Sequence, residues 1–98
     1  MKTPKIPLQL KTLPNNAGVY KFYDKEGNIL YVGKAKNIKK RVSSYFRPNQ
    51  KNFKTNLLVK QIFKIENIVV ETETDALLLE NNLIKKLKPK YNVLLKDD

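Results

Sequence analysis

The sequence predicts a small α+β domain, a three-stranded antiparallel sheet flanked by helices in the order β-β-α-α-β-α. Three observations carry that expectation. Two short runs of strand composition, Val19-Tyr20-Lys21-Phe22-Tyr23 and Ile29-Leu30-Tyr31-Val32, flank the turn-rich Asp24-Lys25-Glu26-Gly27-Asn28 and so form a hairpin. Three later stretches place apolar residues at helical spacing behind capping residues or a polar loop. A lone β-branched triplet, Ile68-Val69-Val70, lies between the last two of them and supplies the third strand.

Taken in order, residues 1–16 hold three prolines and the amphipathic Leu8-Gln9-Leu10-Lys11-Thr12-Leu13, one or two helical turns ending at Pro14. Asn15-Asn16-Ala17 turns the chain into the first strand, and the hairpin loop calls for positive φ around its Gly and Asn. Asn37 caps a helix to about Phe46, with Ile38, Val42, Tyr45 and Phe46 on one side. Arg47-Pro48-Asn49-Gln50-Lys51-Asn52 is a polar loop and the most mobile candidate. The next helix is expected from Lys54 to Lys64, burying Leu58, Val59, Ile62 and Phe63. After the third strand, Thr74 is expected to cap a helix from Asp75 to about Leu87, which Pro89 stops.

With 98 residues the chain makes one domain, 1–98. It has no cysteine and no histidine, so a disulfide framework, imidazole catalysis and the usual zinc ligand sets are excluded. No apolar run is long enough for a membrane span and no secretory segment opens the chain, so a cytoplasmic, monomeric domain is expected. The net charge is +11, and it is segregated. From Gly27 to Ile65 there is no acid, while ten lysines and arginines fall in that span. Such a surface suits a polyanion. Lys34, Lys36, Lys39, Lys40, Arg41 and Arg47 are the candidate contacts to such a nucleic-acid-like polyanion, against the plainer reading of solvated helix faces.

The hairpin sets Gly18-Val19-Tyr20 beside Tyr31-Val32-Gly33-Lys34, two phenols, two glycines and an ammonium on one small surface. That reads as a phosphate-handling site, with Gly33 letting a ligand approach the backbone. Arg41 and Tyr45, four apart, share a helix face on which a guanidinium and a phenol can hold one phosphate; the alternative role for Tyr45 is core packing beside Phe46. Replacing Tyr45 by Phe keeps the ring and is expected to spare stability. Glu80 is the least conventional residue. On a helical wheel it falls near the centre of the stripe Ala76, Leu83, Ile84 and Leu87. A carboxylate there needs either a cationic side chain from another element or a divalent cation. Asn92, in Lys88-Pro89-Lys90-Tyr91-Asn92, either ties the tail to the site or makes a turn.

The paired Gly18-Val19-Tyr20 and Tyr31-Val32-Gly33 resemble the signature of the GIY-YIG nuclease family. Lys34, Arg41, Tyr45, Glu80 and Asn92 fall where that family carries its other functional residues. The strings Lys40-Arg41-Val42-Ser43-Ser44-Tyr45-Phe46, Glu80-Asn81-Asn82-Leu83-Ile84-Lys85-Lys86 and Lys88-Pro89-Lys90-Tyr91-Asn92-Val93-Leu94-Leu95-Lys96-Asp97-Asp98 resemble its excision-repair branch in particular. The likeness runs from about Leu10 to the last residue. One departure is Ala17, where that branch usually has proline; no reacting group is lost.

The resemblance implies incision of one strand of damaged double-stranded DNA on the 3′ side of a lesion, dependent on Mg2+ or Mn2+. It also implies a UvrB-type repair partner engaged through a longer protein. The implied catalytic set is Tyr20, Tyr31, Lys34, Arg41, Tyr45, Glu80 and Asn92, with Glu80 on the metal and Arg41 and Tyr45 on the phosphate. Either Tyr20 or Tyr31 would be the general base. A free phenol has a pKa of about 10, so Lys34 is expected to favour its ionised form. Two other readings stay open: a silent nucleic-acid-binding module, and a self-contained nuclease of the same superfamily acting on branched or RNA substrates.

Overall fold

The computed structural model describes residues 6–48 and 52–94. Residues 49–51, in the loop expected to be mobile, and 95–98, in the last motif string, lie outside the described residues. The described chain runs α1 (Ile6–Lys11), β1 (Gly18–Tyr23), β2 (Ile29–Ala35), α2 (Ile38–Tyr45), α3 (Phe53–Gln61), β3 (Lys64–Val69), α4 (Glu73–Leu87) and α5 (Lys90–Leu94). The expected order is present; the helical turns expected before Pro14 appear as α1, and the short α5 after Pro89 is an addition.

The strands form one antiparallel sheet in the order β2-β1-β3. Its hairpin turns at Gly27, whose φ of +90° is open to glycine at little cost. Asn28 needs no such conformation. The Asp24 carboxylate accepts the backbone N–H groups of Glu26 at 3.0 Å and Asn28 at 2.9 Å, and backbone bonds from Asp24 N to Asn28 O and from Gly27 N to Asp24 O close the loop with it. Alternation along the strands gives the sheet two faces, with one break where the register shifts between Phe22 and Tyr23 and Leu30 is left without a cross-strand partner. Tyr20, Phe22 and Leu30 join Ile38, Val42, Tyr45, Leu58 and Ile62 in the larger core beneath α2 and α3. Val19 and Val32 face the other way, against Ala76, Leu79, Leu83 and Ile84 of α4.

Both outer strands are clamped by a side-chain amide. Gln9 of α1 donates to Phe63 O at 3.1 Å and accepts from Ile65 N at 2.8 Å, on β3. Asn92 of α5 donates to Val32 O and accepts from Val32 N, both at 2.9 Å, on β2. Each clamp satisfies edge groups that would otherwise offer a pairing template.

Several boundaries differ from those the sequence suggests. Helix α3 stops at Gln61 because Ile62 is already extended and the Phe63 N–H bonds Tyr23 O at 2.8 Å. Sheet pairing takes over there, so β3 spans Lys64–Val69 rather than Ile68–Val70. Its polar half pairs through charge: Glu66 lies opposite Lys21 and meets it at 3.4 Å, and meets Lys64 at 3.0 Å. Helix α4 is capped by Thr72, not Thr74, through a bond from Asp75 N at 3.0 Å. Its far end closes on Lys88 in a left-handed conformation (φ 48°) just before the buried Pro89. Leu87, assigned to the apolar stripe from the sequence, is 38% exposed, and Leu79 takes the packing role instead. Among the described residues no helix is long and apolar enough to cross a membrane.

Candidate active site

The hairpin register makes Tyr20 and Gly33 direct cross-strand partners. A Cβ on residue 33 would overlap the Cζ and Oη atoms of Tyr20, so glycine is required because the phenol ring passes over it. This corrects the expectation that Gly33 gives room to a ligand; the space belongs to Tyr20. Gly18 is close-packed for a similar reason, its Cβ position being taken by the Ile68 carbonyl and the Ile38 side chain.

Tyr20 is 1% exposed, and its hydroxyl shares a 2.8 Å hydrogen bond with that of Tyr45 from α2. The two rings pack edge-on at 5.8 Å, and Tyr31 stands 6.2 Å from Tyr20 and 6.3 Å from Tyr45. Phe22, which sequence reasoning did not assign to the site, packs against all three phenols at 5.1–6.2 Å and forms their floor. Its position two residues after Tyr20 on the same strand face was the available signal. Arg41 lies over the open side of Tyr45, with its guanidinium carbon 5.3 Å from the ring centre. Tyr45 therefore serves packing and the polar site at once.

Burial sets the acidity of these phenols. It pushes Tyr20 up to about 12, assisted by Tyr31 and opposed by the Tyr45 bond and the Arg41 charge. Tyr45 and Tyr31 are also raised, chiefly by burial, and for Tyr31 the Tyr45 phenol and then the Glu80 carboxylate add to the effect. The cation acting on the phenols is thus Arg41, not Lys34 as the sequence suggested.

Lys34 instead acts on Glu80. The Glu80 carboxyl rises from α4, on the opposite face of the sheet, and is half-buried; burial raises its pKa, while the Lys34 charge and backbone N–H hold it down. Glu80 takes part in none of the ion pairs among the described residues, which are Lys21–Glu66, Lys36–Glu73 and Lys64–Glu66. The cationic-partner reading of Glu80 is therefore unsupported by a direct contact. A single half-buried carboxylate fits a cation that keeps most of its waters and also meets a phosphate. It does not fit an all-protein cage, and no group of three acidic, His or Cys side chains exists among the described residues.

Asn92 is brought to the site but not into it. Each end of its amide makes one bond to the Val32 backbone, so it fixes the strand between Tyr31 and Gly33. Of the basic candidates, Lys34, Lys36, Lys40, Arg41 and Arg47 are exposed. Lys39 is drawn aside, with Nζ donating to Lys11 O at 3.3 Å. An open cleft of about 530 Å³ lies beside the site, bounded by Lys34, Lys36 and Arg41 on one side and by Glu73, Thr74 and Leu77 of α4 on the other.

A three-stranded sheet carrying the paired tyrosine motifs, with an arginine helix and a carboxylate helix at their side, defines a GIY-YIG domain. The UvrC-like GIY-YIG domain family matches residues 16–93. The chain is 67% identical over its whole length to UvrABC system protein C of Flavobacterium johnsoniae, and 55% identical over 93 residues to that of Neisseria meningitidis. It spans 16% and 15% of the length of those two relatives. The crystal structure of the GIY-YIG N-terminal endonuclease domain of UvrC from Thermotoga maritima, bound to its catalytic magnesium, matches with a TM-score of 0.80. That match has 41% identity and covers 94% of this chain and 99% of that one. Tyrosine-to-phenylalanine and asparagine-to-alanine point mutants of the same domain, each bound to its catalytic divalent cation, match equally well, at a TM-score of 0.80. This chain belongs to the UvrC-like GIY-YIG domain family.

Proposed function

We propose that this domain is a metal-dependent endodeoxyribonuclease that makes the 3′-side incision beside a lesion in bacterial nucleotide excision repair. It would work in the cytoplasm, as part of a longer protein and with a UvrB-type partner. The observation that carries this reading is Glu80: a half-buried carboxylate that forms no ion pair among the described residues, electrostatically coupled to Tyr31 and held beside Lys34. The magnesium in the Thermotoga maritima domain supports assigning a divalent cation to it.

Glu80 would hold Mg2+ or Mn2+. When bound, the cation offsets charge on the phosphate and the leaving 3′ oxygen. The other steps belong to the chain's own residues. Arg41, exposed beside the Tyr45 ring, binds the non-bridging oxygens as negative charge grows on them. Lys34 adds a second positive charge at the strand exit. Tyr31 Oη is favoured over Tyr20 Oη to take the proton from the attacking water, because Tyr20 is sealed in the core with its hydroxyl committed to Tyr45. The Glu80 charge is one of the causes that raise Tyr31, so neutralising that charge makes Tyr31 easier to ionise. Tyr20 and Tyr45 hold the phenol cluster in place, and Asn92 holds the strand that carries Tyr31.

The test is Glu80→Gln in the full-length protein. Incision of a lesion duplex should be abolished while DNA affinity stays near wild type, since the substitution removes a ligand and adds no negative charge. Normal cutting would overturn the assignment.

A further inference from the structure

We propose that the cleft between the end of β2 and the first turns of α4 seats the sugar–phosphate backbone next to the scissile phosphate, and that Glu73 limits how tightly it is held. This rests on the nuclease reading above and adds to it a second subsite on a helix that otherwise contributes only Glu80. Three cations, Lys34, Lys36 and Arg41, bound one side of the 530 Å³ cleft. Two of them, Lys34 and Arg41, also belong to the catalytic face, so a strand whose phosphate meets them continues directly into this space. The other side is of a different character. Ala76 is buried and small, Leu77 is 43% exposed, and Thr74 presents a hydroxyl that the cap does not use, since Thr72 caps the helix. A cationic wall facing an apolar and hydroxyl wall matches a sugar–phosphate chain, with its charge on one side and its deoxyribose on the other. An acidic peptide offers no such two-sided pattern.

Among the described residues Glu73 is the one acid that lines the cleft, and it meets Lys36 at 3.8 Å with both side chains well exposed. Such a pair is weak and easily exchanged. Lys36 can leave it for a phosphate, but the carboxylate then remains beside the anion and opposes it. A repair nuclease that must act with partners gains from holding DNA loosely by itself.

The experiment measures binding of a fluorescein-labelled DNA strand to this chain by anisotropy in metal-free buffer, where no cutting occurs. Glu73→Gln should raise affinity by about threefold or more and steepen the log–log salt slope by up to about 0.9, one additional phosphate contact. Leu77→Glu should lower affinity by a similar factor. Leu87→Glu introduces the same charge ten residues along the same helix, about 15 Å away and beyond a Debye length at about 0.1 M salt, and should change little. A gain of affinity is not what a damaged fold produces, so Glu73→Gln decides the matter even if Leu77→Glu melts early. Equal binding by wild type and Glu73→Gln overturns the proposal, as does an equal loss in the Leu77 and Leu87 variants. Polyglutamate competing as well as DNA, charge for charge, overturns the backbone assignment. The expected binding pattern in a protein that never incises would overturn the nuclease reading and leave the cleft standing.

Discussion

Gly33 lies directly beneath the Tyr20 phenol, the two being cross-strand partners whose contact leaves no room for a Cβ. Tyr20 is fully buried and its hydroxyl is anchored to Tyr45, so the ring has nowhere to retreat. Gly33→Ala should therefore behave as overpacking and destabilise the domain by about 1–3 kcal/mol. It should also disturb Tyr31 two residues away. Thermal melts together with incision assays check this, and a variant that melts and cuts as wild type would contradict the packing seen.

The Tyr20–Tyr45 hydroxyl pair makes a second prediction, and it revises the expectation that Tyr45→Phe spares stability. Removing one hydroxyl leaves the other buried with its 2.8 Å partner gone, so each single Phe variant should cost about 1–3 kcal/mol. Removing both at once should cost less than the sum, because the second substitution removes the group the first left unpaired. Urea unfolding of the two single variants and the double variant closes the cycle. Strict additivity would mean the bond carries no stabilisation.

How much of this was legible in the sequence depends on the range of the interaction. The hairpin was, because its signal is local: period-two strands, Gly27 in the loop, Asp24 ready to bond the turn amides. Glu80 stood out because a carboxylate within an apolar stripe is anomalous wherever the helix packs. The start of β3 was hidden because Lys64, Glu66 and Asn67 look like loop, and only their register against Tyr23, Lys21 and Tyr20 makes them a strand. Asn92 was ambiguous because its partner, Val32, is 60 positions away. The reading that prefers Tyr31 to Tyr20 as base was closed to sequence, since it rests on which phenol the core seals off. The error on Gly33 has the same origin, a neighbour that only register reveals.

Glu66 gives a pH prediction. Its pKa lies below the ordinary carboxylate range, mainly through the hydrogen bond from Lys64, with smaller help from the Lys21 charge. A carboxylate with a depressed folded pKa stabilises the fold above its unfolded pKa of about 4.3, and that contribution is lost as the pH falls through the folded value. Melting temperatures of wild type and Glu66→Gln should therefore differ at pH 6 and converge as the pH is taken well below 4.3. The effect should be small, because the pair is well exposed, and it should shrink with added salt. A gap that widens towards acid would reverse the sign of the argument.

Arg41 separates charge from geometry. It is exposed, so neither Arg41→Ala nor Arg41→Lys should change the melting temperature much beyond the loss of its stacking on Tyr45 at 5.3 Å. Their incision rates should differ strongly. Losing a charge-assisted contact to a transition-state oxyanion costs around 3 kcal/mol, about a hundredfold or more, and Arg41→Ala should show that loss. Arg41→Lys keeps the positive charge but offers neither the two parallel donors nor a flat surface for the ring, so its rate should fall between the two. If Arg41→Lys were as slow as Arg41→Ala, the two-pronged contact would carry the whole effect. Single-turnover incision of a lesion duplex by the full-length protein, with melts run in parallel, distinguishes these outcomes. Wild-type rates in both variants would remove Arg41 from the catalytic face and leave its place over Tyr45 as packing alone.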